Sequence, residues 1–171
     1  MSGDIGLRTR SRRVRSFFRG GLSLRPRILQ RFYNIILTDC GTGLTHSAMA
    51  GILDTADSLV LVASPAIDSA RSALATLDWL DHHGYARLVP QARLVISSAR
   101  PGAMAIDIDR LSAHFQRRVR SLFGVPFDDH LAEGSEISLE PMSRRTKQTF
   151  IELAASIAGD FGRASEQQRH A

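Results

Sequence analysis

Apolar positions along this chain fall into short continuous runs separated by longer amphipathic stretches. The runs are 33–38 (YNIILT), 58–63 (SLVLVA), 92–97 (ARLVIS) and a weaker 121–125 that stops at Pro126. Runs of this length suit strands covered on both faces, as in a parallel sheet. The stretches between them carry helical spacing. Residues 45–53 read as a helix, and 68–82 place Ala70, Ala73, Leu74, Leu77 and Leu80 on one face, with Gly84 as the terminator. Residues 107–120 form an amphipathic helix with a basic polar face, and 143–161 a long final helix capped by Ser143. Pro26 suits the first turn of a short helix over 26–32. Alternating strands and helices predict an α/β layer fold, a mainly parallel sheet with flanking helices. Chemistry in such sheets gathers at the carboxyl ends of the strands. Those ends are 39–43, 63–69, 97–102 and 125–129.

Charge changes this picture at one end. Residues 1–31 hold nine arginines against the single acid Asp4, a net +8, so 32–171 carry −3 of the chain's +5. The basic excess therefore belongs to an arm and not to the folded body. Residues 1–23 lack apolar periodicity and contain Gly20-Gly21, which reads as a disordered leader. The partial α/β domain then spans 24–162, followed by a polar tail over 163–171. Arginines across 8–31, with Phe17 and Phe18, could contact nucleic acid or an anionic membrane. They have no periodic spacing that would place them on one face, so a solvated leader is the preferred reading. No apolar run approaches the roughly 20 residues of a membrane helix. A lone cysteine, Cys40, excludes an internal disulfide and suits a reducing compartment. The expected location is cytoplasmic.

The strand ends offer few reactive groups. Asp39 closes an apolar run and precedes Gly41 and Gly43. A carboxylate there can hold Mg²⁺ through water beside a nucleotide's phosphates, or can simply cap a turn that the glycines permit. Cys40 has no histidine placed by sequence to activate it and reads as a small buried turn residue. His46, His82, His83, His114 and His130 show no metal-ligand spacing. His82 and His83 suit the negative end of a helix. Asp128 and Asp129 are open between nucleotide contact and loop solvation, with Asp129 leaning to solvation, and so does His130.

Together these pieces resemble the MinD/ParA family of P-loop ATPases. IILTDCGTGL (35–44) looks like the family's Walker B and switch region, with Asp39 and Gly43 on its aspartate and glycine. LVLVASPAIDSARSA (59–73) is similar to the following strand and loop, with Pro65, Ser69 and Arg71 at matching positions. RLVISSARPG (93–102) falls where the family carries an adenine-reading asparagine, here Ser97. VPFDDHL (125–131) resembles the loop beside the base, and 133–154 the polar loop and final helix. The resemblance covers about 24–162 and is nearest to MinD-like proteins associated with type VII (ESX) secretion. It implies a P-loop NTPase-like fold, ATP and Mg²⁺ as cofactors, Asp39 in the Mg²⁺ shell and Gly43 as the switch. Pro65, Ser97, Pro126 and Asp128 would line the nucleotide.

Two departures limit that implication. The family's phosphate loop is absent, and the chain's one lysine is Lys147. Backbone amides and a lysine on the phosphates supply much of the binding and transition-state stabilisation. A serine at position 97 also cannot offer the paired donor and acceptor of an amide. The expectation is a domain truncated on its N-terminal side, inactive as an ATPase alone. Such a half-domain leaves a sheet edge and helix faces uncovered. Its partners would be a second copy, a full-length MinD-like paralogue or a secretion component. An alternative is a flavodoxin-like or response-regulator-like domain with Asp39 as acceptor acid. It lacks an early acidic pair and a strand-end lysine.

Overall fold

The computed structural model describes residues 29, 31–41, 47–102, 115, 117–134 and 136–160. The chain divides into two units, Met1–Thr55 and Ala56–Ala171. In the first, Leu29 is helical and a turn follows, with the Phe32 and Tyr33 amides donating to the Leu29 carbonyl. Helix α1 spans Ser47–Thr55 and buries Met49 and Leu53. Residues 33–38 do not form the expected strand. Among the described residues they have no ladder partner, and Tyr33, Ile35 and Leu37 are exposed. An apolar run becomes a strand only when a neighbour takes its amides and carbonyls.

The second unit holds a three-stranded parallel sheet in the order β1 (Val60–Ala63), β2 (Arg93–Ser97), β3 (Ser121–Val125). Val60 to Ala63 register with Arg93 to Ile96, and Arg93 to Ser97 with Ser121 to Val125. The three expected strands of this unit therefore form within two residues of their expected limits. Central β2 is the driest: Arg93, Leu94, Val95 and Ile96 are all buried. Helix α2 (Ile67–His82) connects β1 to β2 and packs on β1. Its buried residues Ala70, Ala73, Leu77 and Leu80 are four of the five in the predicted stripe, and Leu74 is half-buried. Gly84 ends it at φ +87°, a conformation that side-chain-bearing residues rarely adopt. The ring nitrogens Nδ1 of His82 and His83 meet the last-turn carbonyls of Asp78 and Trp79 at 2.6 and 2.7 Å, as the electronegative helix end favours.

A 3₁₀ turn, Ala86–Gln91, leads into β2. Of the helix expected over 107–120, residues 107–114 lie outside the described ones. Phe115 is helical and buried, while 117–120 form turns and bends. Arg118 forks onto helix α2, donating to Asp78 at 2.5 Å and Asp81 at 2.7 Å. These two carboxylate bonds raise the guanidinium's pKa. A short helix α3 (Asp129–Ala132) precedes α4 (Arg144–Ala158), which packs on β3. Ser143 caps α4 as expected, its Oγ accepting from the Thr146 amide at 3.1 Å. The helix stops three residues short of its expected end. Gly159 donates back to Ala155, and Asp160 turns to bind Arg93.

No helix among the described residues is long and apolar enough to cross a membrane.

Candidate functional site

Parallel strands put their carboxyl ends along one edge. Ala63 lies opposite Ile96, and Ser97 opposite Val125. The connections leaving those ends carry Pro65, Ser97 with Ser98, and Pro126 to Asp128. Four of the six candidate site residues thus share one edge of the second unit. Asp39 belongs to the first unit, and Gly43 lies outside the described residues.

Local bonds fix each connection. The Ser69 hydroxyl accepts from the Ser64 amide at 2.9 Å, holding the bend through half-buried Pro65 at the start of α2. The Ser98 amide donates to the Val125 carbonyl at 3.1 Å, extending the β2–β3 pairing past the last ladder residue. Its hydroxyl is buried and has no hydrogen-bond partner among the described residues. Ser97 and Pro126 are half-buried.

Asp128 is buried and fully engaged. One carboxylate oxygen accepts from the His130 amide at 3.2 Å, capping α3, and the other accepts from the Ser143 amide at 2.9 Å, at the start of α4. The Ser143 amide bond, helped by Thr146, holds this carboxyl below the usual aspartate range. The arrangement makes Asp128 a tie between two helix starts. His130 is also drawn into the fold, its Nε2 accepting from the Ser138 amide at 3.0 Å. Asp129 is exposed, as expected.

In the first unit, Asp39 Oδ1 accepts from the Gly41 amide at 2.9 Å, and Gly41 sits at φ +61°. This is an Asx turn that a glycine closes. Cys40 is exposed, which corrects its reading as a buried residue. Partial desolvation, then the nearby Asp39 carboxylate, push its thiol pKa up. Both effects oppose the thiolate that nucleophilic chemistry needs.

Sequence reasoning missed the most heavily bonded side chain. Arg93, fully buried, donates Nε to Ser156 Oγ (2.9 Å) and Nη1 to Ser58 Oγ (2.6 Å) and the Gln91 carbonyl (3.1 Å). Its Nη2 reaches the Ser156 carbonyl and Asp160, each at 2.5 Å. Arg120 pairs with the other Asp160 oxygen at 3.0 Å and with Gln91 Oε1 at 3.0 Å. This network sits at the amino ends of β2 and β3, opposite the candidate site. It locks the end of α4 to the sheet.

Ser97, the buried Ser98 hydroxyl and Pro126 lie at the carboxyl ends of β2 and β3. On the phosphate side the only lysine, Lys147, donates to the Glu140 carbonyl at 2.9 Å. No cluster of three or more metal-binding side chains occurs among the described residues. Among the described residues no phosphate and Mg²⁺ site is complete.

Over 139 residues, 80% of its length, the sequence is 39% identical to the ESX-1 secretion-associated protein EspI of Mycobacterium tuberculosis. The chain is homologous to EspI. The same identity holds for EspI of strain CDC 1551 / Oshkosh and of strain ATCC 25618 / H37Rv. The chain spans about a fifth of the length of these curated relatives, 21%. No protein-family model matches it, and no solved structure matches it. The likeness to EspI reaches most of this chain, so the three-stranded unit, more than half of it, falls largely within the matched stretch.

Proposed function

We propose that the chain is a secretion-associated module, one half of a MinD/ParA-like doubly wound domain that has no ATPase activity by itself. The observation that carries the secretion role is the 39% identity to EspI over 80% of the chain. The half-domain reading rests on topology. Strand order follows chain order, so the sheet is wound in one direction from β1. A doubly wound sheet has a second half on the far side of its first strand. Among the described residues no strand pairs with that side of β1, and Val60 and Val62, on one face of the strand, are exposed.

Under this reading the missing strand and helices come from further polypeptide, either linked in a longer chain or supplied by a full-length paralogue. ATP and Mg²⁺ would then bind only to the completed domain. Pro65, Ser97 and Pro126 would serve its base side, with Asp128 holding the base-side loop. A cytoplasmic location belongs to the same proposal.

A chimera tests the secretion role. The matched 139-residue segment of EspI is replaced by this sequence in an espI-deleted strain, and ESX-1 secretion is measured. Secretion equal to that with intact EspI supports the reading. A folded, stably expressed chimera that behaves like the deletion overturns it. Calorimetry with MgATP tests the other half: the chain alone should show no Asp39-dependent binding at millimolar ATP.

A further inference from the structure

Three histidines lie among the described residues, and one of them cannot take a second proton where it stands. His82 and His83 turn Nδ1 toward the carbonyls of Asp78 and Trp79, so those nitrogens donate, and a charged ring keeps both bonds. His130 is opposite in kind. Its Nε2 meets the Ser138 amide at 3.0 Å, and a backbone amide can only donate. The ring is therefore neutral, with its proton on Nδ1, which lies 3.9 Å from Glu133 Oε2. A second proton would set N–H against N–H and end the bond to Ser138.

That bond ties α3 to the loop that follows it. On either side of Ser138, the side chains of Ile137 and Leu139 are exposed. The far end of the loop is anchored without histidine: Lys147 Nζ donates to the Glu140 carbonyl, Met142 is buried, and the Ser143 amide donates to Asp128. At the near end Gly134, at φ +64°, turns the chain. Between these points the Ser138–His130 bond holds the backbone. The charged groups on the elements around the ring are Asp128, Asp129 and Glu133 on and beside α3, Glu136 and Glu140 on the loop, and Arg144, Arg145 and Lys147 on α4. Asp128 is taken up by the amides of His130 and Ser143, and Lys147 by the Glu140 carbonyl. A charged ring would gain an attraction to Glu133, an exposed carboxylate that solvent screens, and would lose Ser138.

We propose that His130 is a proton-operated latch on residues 136–139. The neutral ring holds the Ser138 amide, and the protonated ring releases it and turns to Glu133. The closed loop excludes the second proton, so it is present at neutral pH and is lost as the solution becomes acidic. The latch does not depend on the nucleotide-domain reading.

The test is nuclear magnetic resonance on the full chain from about pH 8 to about pH 5, the span in which histidine changes charge. The ring signals of His130 report its protonation. Hydrogen exchange of the Ser138 amide, corrected for its intrinsic pH dependence, reports the bond. Protection of Ser138 should be present at the neutral end and lost in step with protonation of His130, not with that of His82 or His83. In His130→Gln the side-chain oxygen takes the same hydrogen and does not titrate, so protection should hold across the range. In His130→Phe it should be absent throughout. The Ser143 amide, held by Asp128, is the internal control and should stay protected in all three chains. Protection of Ser138 that survives protonation of His130 overturns the proposal, as does a ring still neutral at the acid end. A pH-dependent loss that persists in His130→Gln assigns the release to another group and also overturns it.

Discussion

Val62 and Val95 occupy opposed positions on adjacent parallel strands and point to the same face, yet Val62 is 70% exposed and Val95 only 4%. Arg93, also on that face, donates to Ser156 of α4, a helix that packs on β3. Identical residues on adjacent strands that differ this much in cover should differ sharply in cost. Val95→Ala should destabilise the unit by about 2 kcal/mol through lost burial and a residual cavity. Val62→Ala should change stability by less than about 0.5 kcal/mol. Urea unfolding of the two variants measures the difference. Equal losses would mean that Val62 is covered in solution.

Arg93 should tolerate no replacement. Removing a buried, paired charge typically costs about 3–5 kcal/mol, because its partners stay buried. Arg93→Ala strands the Ser156 carbonyl and the Ser58 hydroxyl and leaves Asp160 with Arg120 as its remaining partner. Arg93→Lys should rescue little, since an ammonium cannot replace a planar fork with five donors. Hydrogen exchange should show the end of α4 opening first in either variant. Arg93→Lys at wild-type stability would show that the fork geometry is dispensable.

How much of this was legible in the sequence depends on the range of the interaction. Helix α2 and the Ser143 cap follow from spacing within a few residues, and both formed where expected. The strands 60–63, 93–97 and 121–125 were legible because continuous apolar runs suit a buried parallel sheet. The run 33–38 has the same composition, but a strand needs a neighbour, and composition does not name one. Nothing local in the sequence singles out Arg93. Its burial depends on Ser156 and Asp160, more than 60 positions away. Asp128 was visible as a candidate, but its bond to the Ser143 amide, which makes it a structural tie, spans 15 positions.

The Asp128 tie should depend on pH with a defined sign. Its carboxyl pKa is depressed in the folded chain, chiefly by the Ser143 amide. Stabilisation of this kind is fully present above the unfolded aspartate pKa of about 3.9, and is lost as pH falls through the lower folded value. The stability advantage of the wild type over Asp128→Asn should thus be flat from neutral pH to about pH 5, and should shrink only in more acidic solution. Paired unfolding curves across that range check it. An advantage that grows on acidification would contradict the bonded-carboxylate geometry.

Cys40 should be accessible but slow to react. The side chain is exposed, while desolvation and Asp39 raise its thiol pKa. Less thiolate at neutral pH means slower alkylation. Iodoacetamide should modify Cys40 more slowly than free cysteine at pH 7, and Asp39→Asn should quicken the reaction. Alkylation faster than free cysteine would indicate an activating base that the described residues do not supply.

Ser98 gives the sharpest probe of the strand-end site. Its hydroxyl is buried at the carboxyl end of β2 and has no hydrogen-bond partner among the described residues. A buried polar group left unmatched costs about 1–3 kcal/mol, so deleting it should relieve part of that cost. Ser98→Ala should therefore stabilise the isolated chain by about 1 kcal/mol, read as a higher denaturation midpoint. The gain belongs to the chain without a ligand. In a completed nucleotide-binding domain the same hydroxyl would be free to meet the base, and Ser98→Ala should then weaken nucleotide binding while still raising stability in its absence. Opposite signs in the two measurements would mark Ser98 as kept for a ligand. A loss of stability in the isolated chain would instead mean that bound water satisfies the hydroxyl and that it holds the β2–β3 edge together.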